Sequence, residues 1–180
     1  MRVFGLIGYP LGHSFSRNYF AEKFINEEIT DCTYKNFPIE SIDRLPDVIA
    51  SEPGLIGLNV TIPYKEKVMQ FLDQTDEEAQ GIGAVNTIKI EREEHVFRLK
   101  GYNTDEYGFR ESLVPLLNSN VKNALVLGTG GASRAVIHAL RKLNITPHLV
   151  SRSKYKGDFI YENSRYPPAL FIYLPGLILR

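Results

Sequence analysis

The chain reads "ALVLGTGGASRAVIHALRKLN" over residues 124–144, and this stretch decides the fold of its second half. An apolar run leads into a glycine-rich turn. After the turn, Val136, Leu140 and Leu143 recur at the three- or four-residue spacing of one helix face. The pattern predicts a buried strand, a tight turn and an amphipathic helix.

The glycines of this turn follow the pattern G-x-G-x-x-S, a form of the dinucleotide-binding fingerprint. Gly128 permits the tight turn, Gly130 leaves room for a pyrophosphate beside the backbone, and Ser133 lets the helix pack close to the strand. The free N–H groups at the start of the helix favour an anion. The predicted cofactor-binding residues are Gly128, Thr129, Gly130, Gly131, Ala132 and Ser133.

The next predicted strand ends in "VSRSK", which bears on the choice of cofactor. NAD sites commonly carry an acidic residue here for the ribose hydroxyls, whereas this segment offers Ser151, Arg152 and Ser153. A guanidinium can bind a 2′-phosphate with two hydrogen bonds. The segment favours NADP, the alternative being that Arg152 is an ordinary solvated charge.

Outward from this stretch, towards the N-terminus, predicted strands and helices alternate, as in a parallel α/β sheet. Two further strands, 84–91 and 95–103, form a predicted hairpin, and a helix over 104–118 follows. The fold class expected is a mostly parallel N-terminal α/β domain followed by the start of a Rossmann-like NADP-binding domain. The expected domains are 1–118, 119–155 and an atypical tail, 156–180, without a lasting strand or helix period.

Composition excludes several functional classes. Lys and Arg number 21, as do Asp and Glu, so the zero net charge gives no indication of nucleic-acid binding. The apolar run at 169–179 is too short to span a bilayer, and no signal peptide is evident. The single cysteine, Cys32, fits a reducing, cytoplasmic location. The four histidines show no metal-ligand spacing, so no metal is expected.

Polar side chains in the first half concentrate where strands end, which is where open parallel sheets bind ligands. They lie in the segments "GHSFS" (12–16), "NVTIPYK" (59–65), "GAVNTI" (83–88) and "GYNTDEYG" (101–108). Together with "GTGGASRA" (128–135), these motifs, in this order, make the sequence resemble the shikimate dehydrogenases, NADP-dependent enzymes of aromatic amino-acid biosynthesis. The resemblance covers residues 1 to about 155.

The resemblance implies a site for shikimate and 3-dehydroshikimate in the first domain. It assigns the substrate carboxylate to Ser14 and Ser16, and the hydroxyls to Asn59, Thr61, Asn86 and Asp105. Lys65 would be the acid/base, supplying a proton to the carbonyl oxygen as a hydride arrives from NADPH, and Asp105 would orient it. Glu77 falls at a position the family sometimes uses near the cofactor.

Three alternatives stay open at this point. Members of the family continue well past residue 156 with more strands and a helix that returns to the first domain. The chain is therefore either an enzyme or a non-catalytic fragment that binds shikimate-like ligands weakly or not at all. An NAD-using quinate/shikimate dehydrogenase is disfavoured by "VSRS", and a folate dehydrogenase by the paired serines. A homodimer is compatible with the sequence, which does not determine the oligomeric state.

Overall fold

The computed structural model describes residues 1–12, 15–93, 96–118, 120–152 and 155–160, and the backbone of 170–173. Its described residues divide into two units, 1–80 with 84–102, and 81–83 with 103 onward. This division falls earlier in the chain than the boundary expected after residue 118. The helix that was expected to close the first domain therefore belongs to the second unit.

The first unit contains a six-stranded mixed sheet. Its helices and strands are β1 (Arg2–Gly8), α1 (Phe15–Asn26), β2 (Cys32–Pro38), α2 (Leu45–Ser51), β3 (Leu55–Val60), β4 (Gln74–Thr75), α3 (Glu77–Ile82), β5 (Thr87–Glu93) and β6 (Val96–Tyr102). The last two residues of α3 belong to the second unit. The strand order is β2-β1-β3-β5-β6-β4. Strands β1, β2 and β3 run parallel, and β5 and β6 form the predicted antiparallel hairpin.

The core of the first unit lies mainly on one face of this sheet. Val3 and Ile7 lie on the same face of β1, because side chains alternate between the two faces of a strand. They belong to one hydrophobic core with Leu45 and Ile49 of α2, which are fully buried. The opposite face carries α1 and a cluster of aromatic rings. There the rings of Phe20 and Tyr34 stack with centroids 4.7 Å apart.

One helix predicted in the first unit is not an α-helix in the structure. The stretch 64–73 contains only a short 3₁₀ helix, Lys67–Phe71. Its beginning is instead a turn, in which the backbone N–H of Tyr64 donates to the carbonyl of Thr61. The turn places Lys65 in a loop at the end of β3 rather than on a helix.

The second unit begins with α4 (Asp105–Leu113) and continues with β7 (Asn123–Leu127), α5 (Gly131–Lys142), β8 (Thr146–Ser151), β9 (Phe159–Ile160) and β10 (Leu170–Tyr173). Its described strands form one sheet in the order β10-β7-β8-β9, with every neighbouring pair parallel. Renumbered within the unit, this is the order 4-1-2-3, the arrangement that begins a Rossmann sheet.

The tail, expected to show no lasting strand or helix period, contains two short strands, β9 and β10. Strand β10 pairs with β7 over four residues, and β9 pairs with β8 over two. Local periodicity did not reveal these strands because segments of two and four residues are too short to show a period. The α/β fold class itself, a mostly parallel first domain followed by a Rossmann-like beginning, is confirmed.

Candidate functional site

The loop after β3 carries Thr61 and Lys65, two of the predicted substrate residues. The N–H of Thr61 donates to the carbonyl of Ile7 at the end of β1, 2.9 Å away, and the carbonyl of Lys65 accepts from the N–H of Val85 at 2.7 Å. Backbone hydrogen bonds therefore connect this loop both to β1 and to the segment that carries Asn86. The loop lies at the carboxyl edge of the parallel strands, as predicted.

Asn59 and Asn86 lie close together at this same edge, joined by Thr87. The amide nitrogen of Asn59 donates to Oγ1 of Thr87 at 3.4 Å, and this hydroxyl donates to Oδ1 of Asn86 at 3.1 Å. Strand β5 runs antiparallel to β3, which brings the start of β5 next to the end of β3. Asn86 is buried, with 8% of its surface exposed.

Tyr34 contacts one of the predicted substrate residues, Asn59, and was not predicted as a site residue from the sequence. Its hydroxyl donates to Oδ1 of Asn59 at 2.8 Å. Burial raises the pKa of Tyr34 to about 12, and a hydrogen bond with Ser16 opposes that rise. Neither a motif nor its spacing marks Tyr34, because it occupies an ordinary position in the middle of β2.

The remaining predicted substrate residues stand as follows. Ser14 lies outside the described residues, and Ser16 is half-buried near the start of α1. Asp105 belongs to the second unit, where it is the first residue of α4 and its N–H donates to the side chain of Asn103. Glu77 is exposed at the start of α3.

A cavity of about 350 Å³ lies beside this group in the first unit, between α1 and the sheet. Its wall is mostly apolar, with Tyr34, Asn59 and Thr87 among its polar members. A larger open groove runs along α1 and β2 past Arg17 and Cys32, but it contains none of the predicted substrate residues. The candidate site is therefore located by the polar side chains at the strand ends, and not by the volume of the cavity.

The glycine turn of the second unit has the geometry the fingerprint requires. Gly128 has φ +123°, a conformation that side-chain-bearing residues rarely adopt, and its N–H donates to the carbonyl of Val150 at 2.9 Å. Gly130 is extended, and no atom of the described residues beyond its chain neighbours lies within 4 Å of the position that a Cβ would take. The turn thus has an open surface above Gly130 and a helix N-terminus directly behind it.

The structure places the predicted cofactor residues around this turn as follows. Ser133 is buried and its N–H donates to the carbonyl of Gly130. Ser151 ends β8 and is buried, whereas Arg152, which follows it, is exposed. Thr129 is exposed and Ala132 half-buried; Ser153 lies outside the described residues.

The turn also lies where the strand order reverses. Strand β7 has β8 on one side and β10 on the other, so its carboxyl end is the switch point of the sheet. Open α/β sheets bind ligands in the crevice at such a point. The residues present therefore fit a dinucleotide at the end of β7.

Comparison with known proteins gives the same answer as the motifs. Residues 6–88 match the family model described as the shikimate dehydrogenase substrate binding domain. The NADP-dependent shikimate dehydrogenase of Shouchella clausii is 40% identical over 162 residues, and that of Methanococcus vannielii is 43% identical over 166. The chain is similar to shikimate dehydrogenases over most of its length.

Solved shikimate dehydrogenase structures show the same fold. The enzyme from Aquifex aeolicus has a TM-score of 0.75 and 38% identity, covering 87% of this chain and 57% of that one. The enzyme from Thermus thermophilus, solved in complex with NADP(H) and shikimate, has a TM-score of 0.73 and 34% identity, covering 87% and 58%. The resemblance predicted from the five motifs is confirmed.

The similarity to shikimate dehydrogenases covers most of this chain but only part of those enzymes. The matches include 87% and 91% of this chain, but only 57% and 56% of the two relatives. The chain thus spans little more than half the length of the shikimate dehydrogenases it matches. No helix among the described residues has the length and apolar character needed to cross a membrane.

Proposed function

We propose that this chain supplies the substrate-binding side chains and the cofactor-binding turn of a shikimate dehydrogenase, which reversibly reduces 3-dehydroshikimate to shikimate. The observation that carries the proposal is the hydrogen-bonded connection between Asn59 and Asn86 through Thr87. It brings two separate motifs to the one sheet edge that also carries Thr61 and Lys65.

The residue types at this edge suit a polyhydroxylated carboxylic acid. Asn59, Thr61 and Asn86 offer amide and hydroxyl groups that both donate and accept, as ring hydroxyls require. Ser14 and Ser16 would donate hydrogen bonds to the carboxylate from neutral hydroxyl groups, without a positive charge beside it. The paired hydroxyls, amides and single lysine fit such an acid better than a pterin.

Lys65 is the proposed acid/base. Its ammonium would donate a proton to the carbonyl oxygen of 3-dehydroshikimate and stabilise the charge developing there. The backbone hydrogen bond between Lys65 and Val85 anchors the base of this flexible side chain in the loop. The role of Asp105 in orienting Lys65 stays a prediction.

NADP is the proposed cofactor, and when bound as NADPH it supplies the hydride. The open surface above Gly130 and the free N–H groups of α5 would hold the pyrophosphate. Arg152, exposed just beyond the end of β8, would bind the 2′-phosphate. Glu77, which is exposed, stays a weaker prediction as a cofactor neighbour.

The proposal is tested by titrating the chain with shikimate and by following NADPH absorbance when NADP is added as well. We expect saturable shikimate binding that Lys65→Ala weakens, and any turnover to fall by about 10²- to 10⁴-fold in this variant. Lys67→Ala is the matched control, since Lys67 is an exposed lysine two residues away. Absence of binding, or equal behaviour of both variants, would contradict the proposal.

The broader predictions about the protein stay predictions. A cytoplasmic location follows only from the single cysteine and the lack of a recognised targeting segment. A homodimer is compatible with the sequence, which does not determine the oligomeric state. The absence of nucleic-acid partners is expected from the zero net charge, and the absence of membrane partners from the short apolar run at 169–179. The quinate/shikimate alternative depends on the cofactor preference set by Arg152.

A further inference from the structure

Tyr34 holds its hydroxyl in a fixed position behind the proposed substrate site. Only 7% of the residue is exposed, and its ring stacks on Phe20 of α1 with 12° between the ring planes. The hydroxyl lies 2.8 Å from Oδ1 of Asn59 on β3. A buried, stacked ring cannot swing away, so the hydroxyl is a rigid hydrogen-bonding group.

A run of hydrogen bonds leads from the Tyr34 hydroxyl to the residues before and at the start of β5. Tyr34 donates to Asn59, Asn59 to Thr87, and Thr87 to Asn86. Because each hydroxyl has one proton, fixing the donor at Tyr34 fixes the orientation of the Asn59 amide.

We infer that Tyr34 is a positioning residue for the shikimate site, orienting Asn59 on β3 through its hydroxyl and, through Asn59, the hydrogen bonds of Thr87 and Asn86. The inference rests on the proposed function, since it names what sets the geometry of the substrate-binding side chains. Tyr34 itself need not touch the ligand. Because Tyr34 already holds these side chains in place, less conformational entropy is lost when shikimate binds.

Tyr34→Phe is the variant that isolates this role. It keeps the ring, its burial and its stacking on Phe20, and removes only the hydroxyl. Tyr19→Phe is the control, because Tyr19 lies in the same aromatic cluster but is 48% exposed. Thermal unfolding of each variant shows whether it folds.

The first readout measures the link itself, without ligand. With the tyrosines labelled at ¹³Cζ, the Tyr34 resonance is assigned as the one missing from Tyr34→Phe. We expect Asn59→Ala to shift this resonance, because it removes the acceptor of the phenolic O–H. An unchanged Tyr34 resonance in Asn59→Ala would show that the link does not exist, and would overturn the inference whatever the ligand does.

The second readout is shikimate affinity by calorimetry. We expect Tyr34→Phe to bind shikimate about 3- to 10-fold more weakly than the original chain, the usual effect of one lost hydrogen bond, and Tyr19→Phe to bind as the original does. Equal or tighter binding by Tyr34→Phe would overturn the inference while leaving the proposed function intact. Failure of the original chain to bind shikimate would instead overturn both.

Discussion

A methyl group placed on Gly8 would lie 2.4 Å from Cγ2 of Thr61, so the end of β1 passes Thr61 at a distance that only glycine permits. Gly8→Ala must therefore push Thr61 or the backbone aside, and the carbonyl of Ile62 would be only 3.0 Å from the new methyl. We expect a loss of about 1–3 kcal/mol in the free energy of unfolding. Shikimate affinity should fall as well, because Thr61 is displaced.

Urea unfolding and shikimate calorimetry on Gly8→Ala check this prediction. Gly12→Ala is the stability control, since the part of the chain that the structure describes places no atom within 4 Å of its would-be Cβ. If Gly8→Ala were as stable as the original chain and bound shikimate equally well, Thr61 would not be held in the way described.

The two glycines of the nucleotide turn should respond differently to alanine. Gly128→Ala forces a side chain into the left-handed region at φ +123° and should cost about 1–3 kcal/mol of stability. Gly130→Ala enters open space in an extended conformation, so stability should stay the same while NADP affinity falls at least about 10-fold. Thermal unfolding and NADP titration separate the two effects. Unchanged NADP binding by Gly130→Ala would place the pyrophosphate elsewhere.

Arg152 should distinguish the two nicotinamide cofactors. Only NADP has a 2′-phosphate, so Arg152→Ala should weaken NADP binding by about 10-fold or more and leave NAD binding nearly unchanged. Arg141→Ala is the control, because Arg141 is an exposed arginine at the end of α5. Equal losses for both cofactors would show that Arg152 does not contact the 2′-phosphate.

Tyr34 makes the free energy of unfolding of the first unit depend on pH in the alkaline range. Burial raises its pKa from 10.0 to about 12, so the folded state holds the neutral phenol more strongly than the unfolded state does. Its contribution to stability is complete below pH 10.0 and is lost as the pH rises to about 12. Across this interval the loss is on the order of 2 kcal/mol.

The check is the difference in unfolding free energy between the original chain and Tyr34→Phe, measured at several pH values. Subtraction removes the titration of all other groups. We expect the difference to be constant below pH 10.0 and to move against the original chain above it. A difference independent of pH would mean that the Tyr34 phenol is not protected by the fold.

Much of the fold was readable from local patterns. The turn at Gly128 and the helix after it follow from glycine geometry and helix periodicity, which act over a few residues. The placement of Asn59, Thr61 and Lys65 at a strand end was readable for the same reason. Their common edge followed from the rule for parallel strands.

Other features depend on contacts distant in sequence. The proposed role of Tyr34 depends on its hydrogen bond to Asn59, 25 positions away, and a local sequence pattern cannot predict such a contact. The strand at 170–173 is defined by its pairing with β7. A 3₁₀ helix stands in place of the helix predicted after Pro63. The backbone there is held by hydrogen bonds to distant residues, from Thr61 to Ile7 on β1 and from Val85 to Lys65.

The proposal that Asn59 and Asn86 bind shikimate together is tested by a shikimate titration, followed by the side-chain amide resonances of asparagine in a ¹⁵N spectrum. We expect saturable shifts of the Asn59 and Asn86 amides, while Asn118, exposed in the second unit, does not respond. Cyclohexanecarboxylate, which lacks the ring hydroxyls, should shift them far less. Saturable binding that leaves the Asn59 and Asn86 amides unmoved, or equal responses to both acids, would show that these asparagines do not recognise the ring hydroxyls.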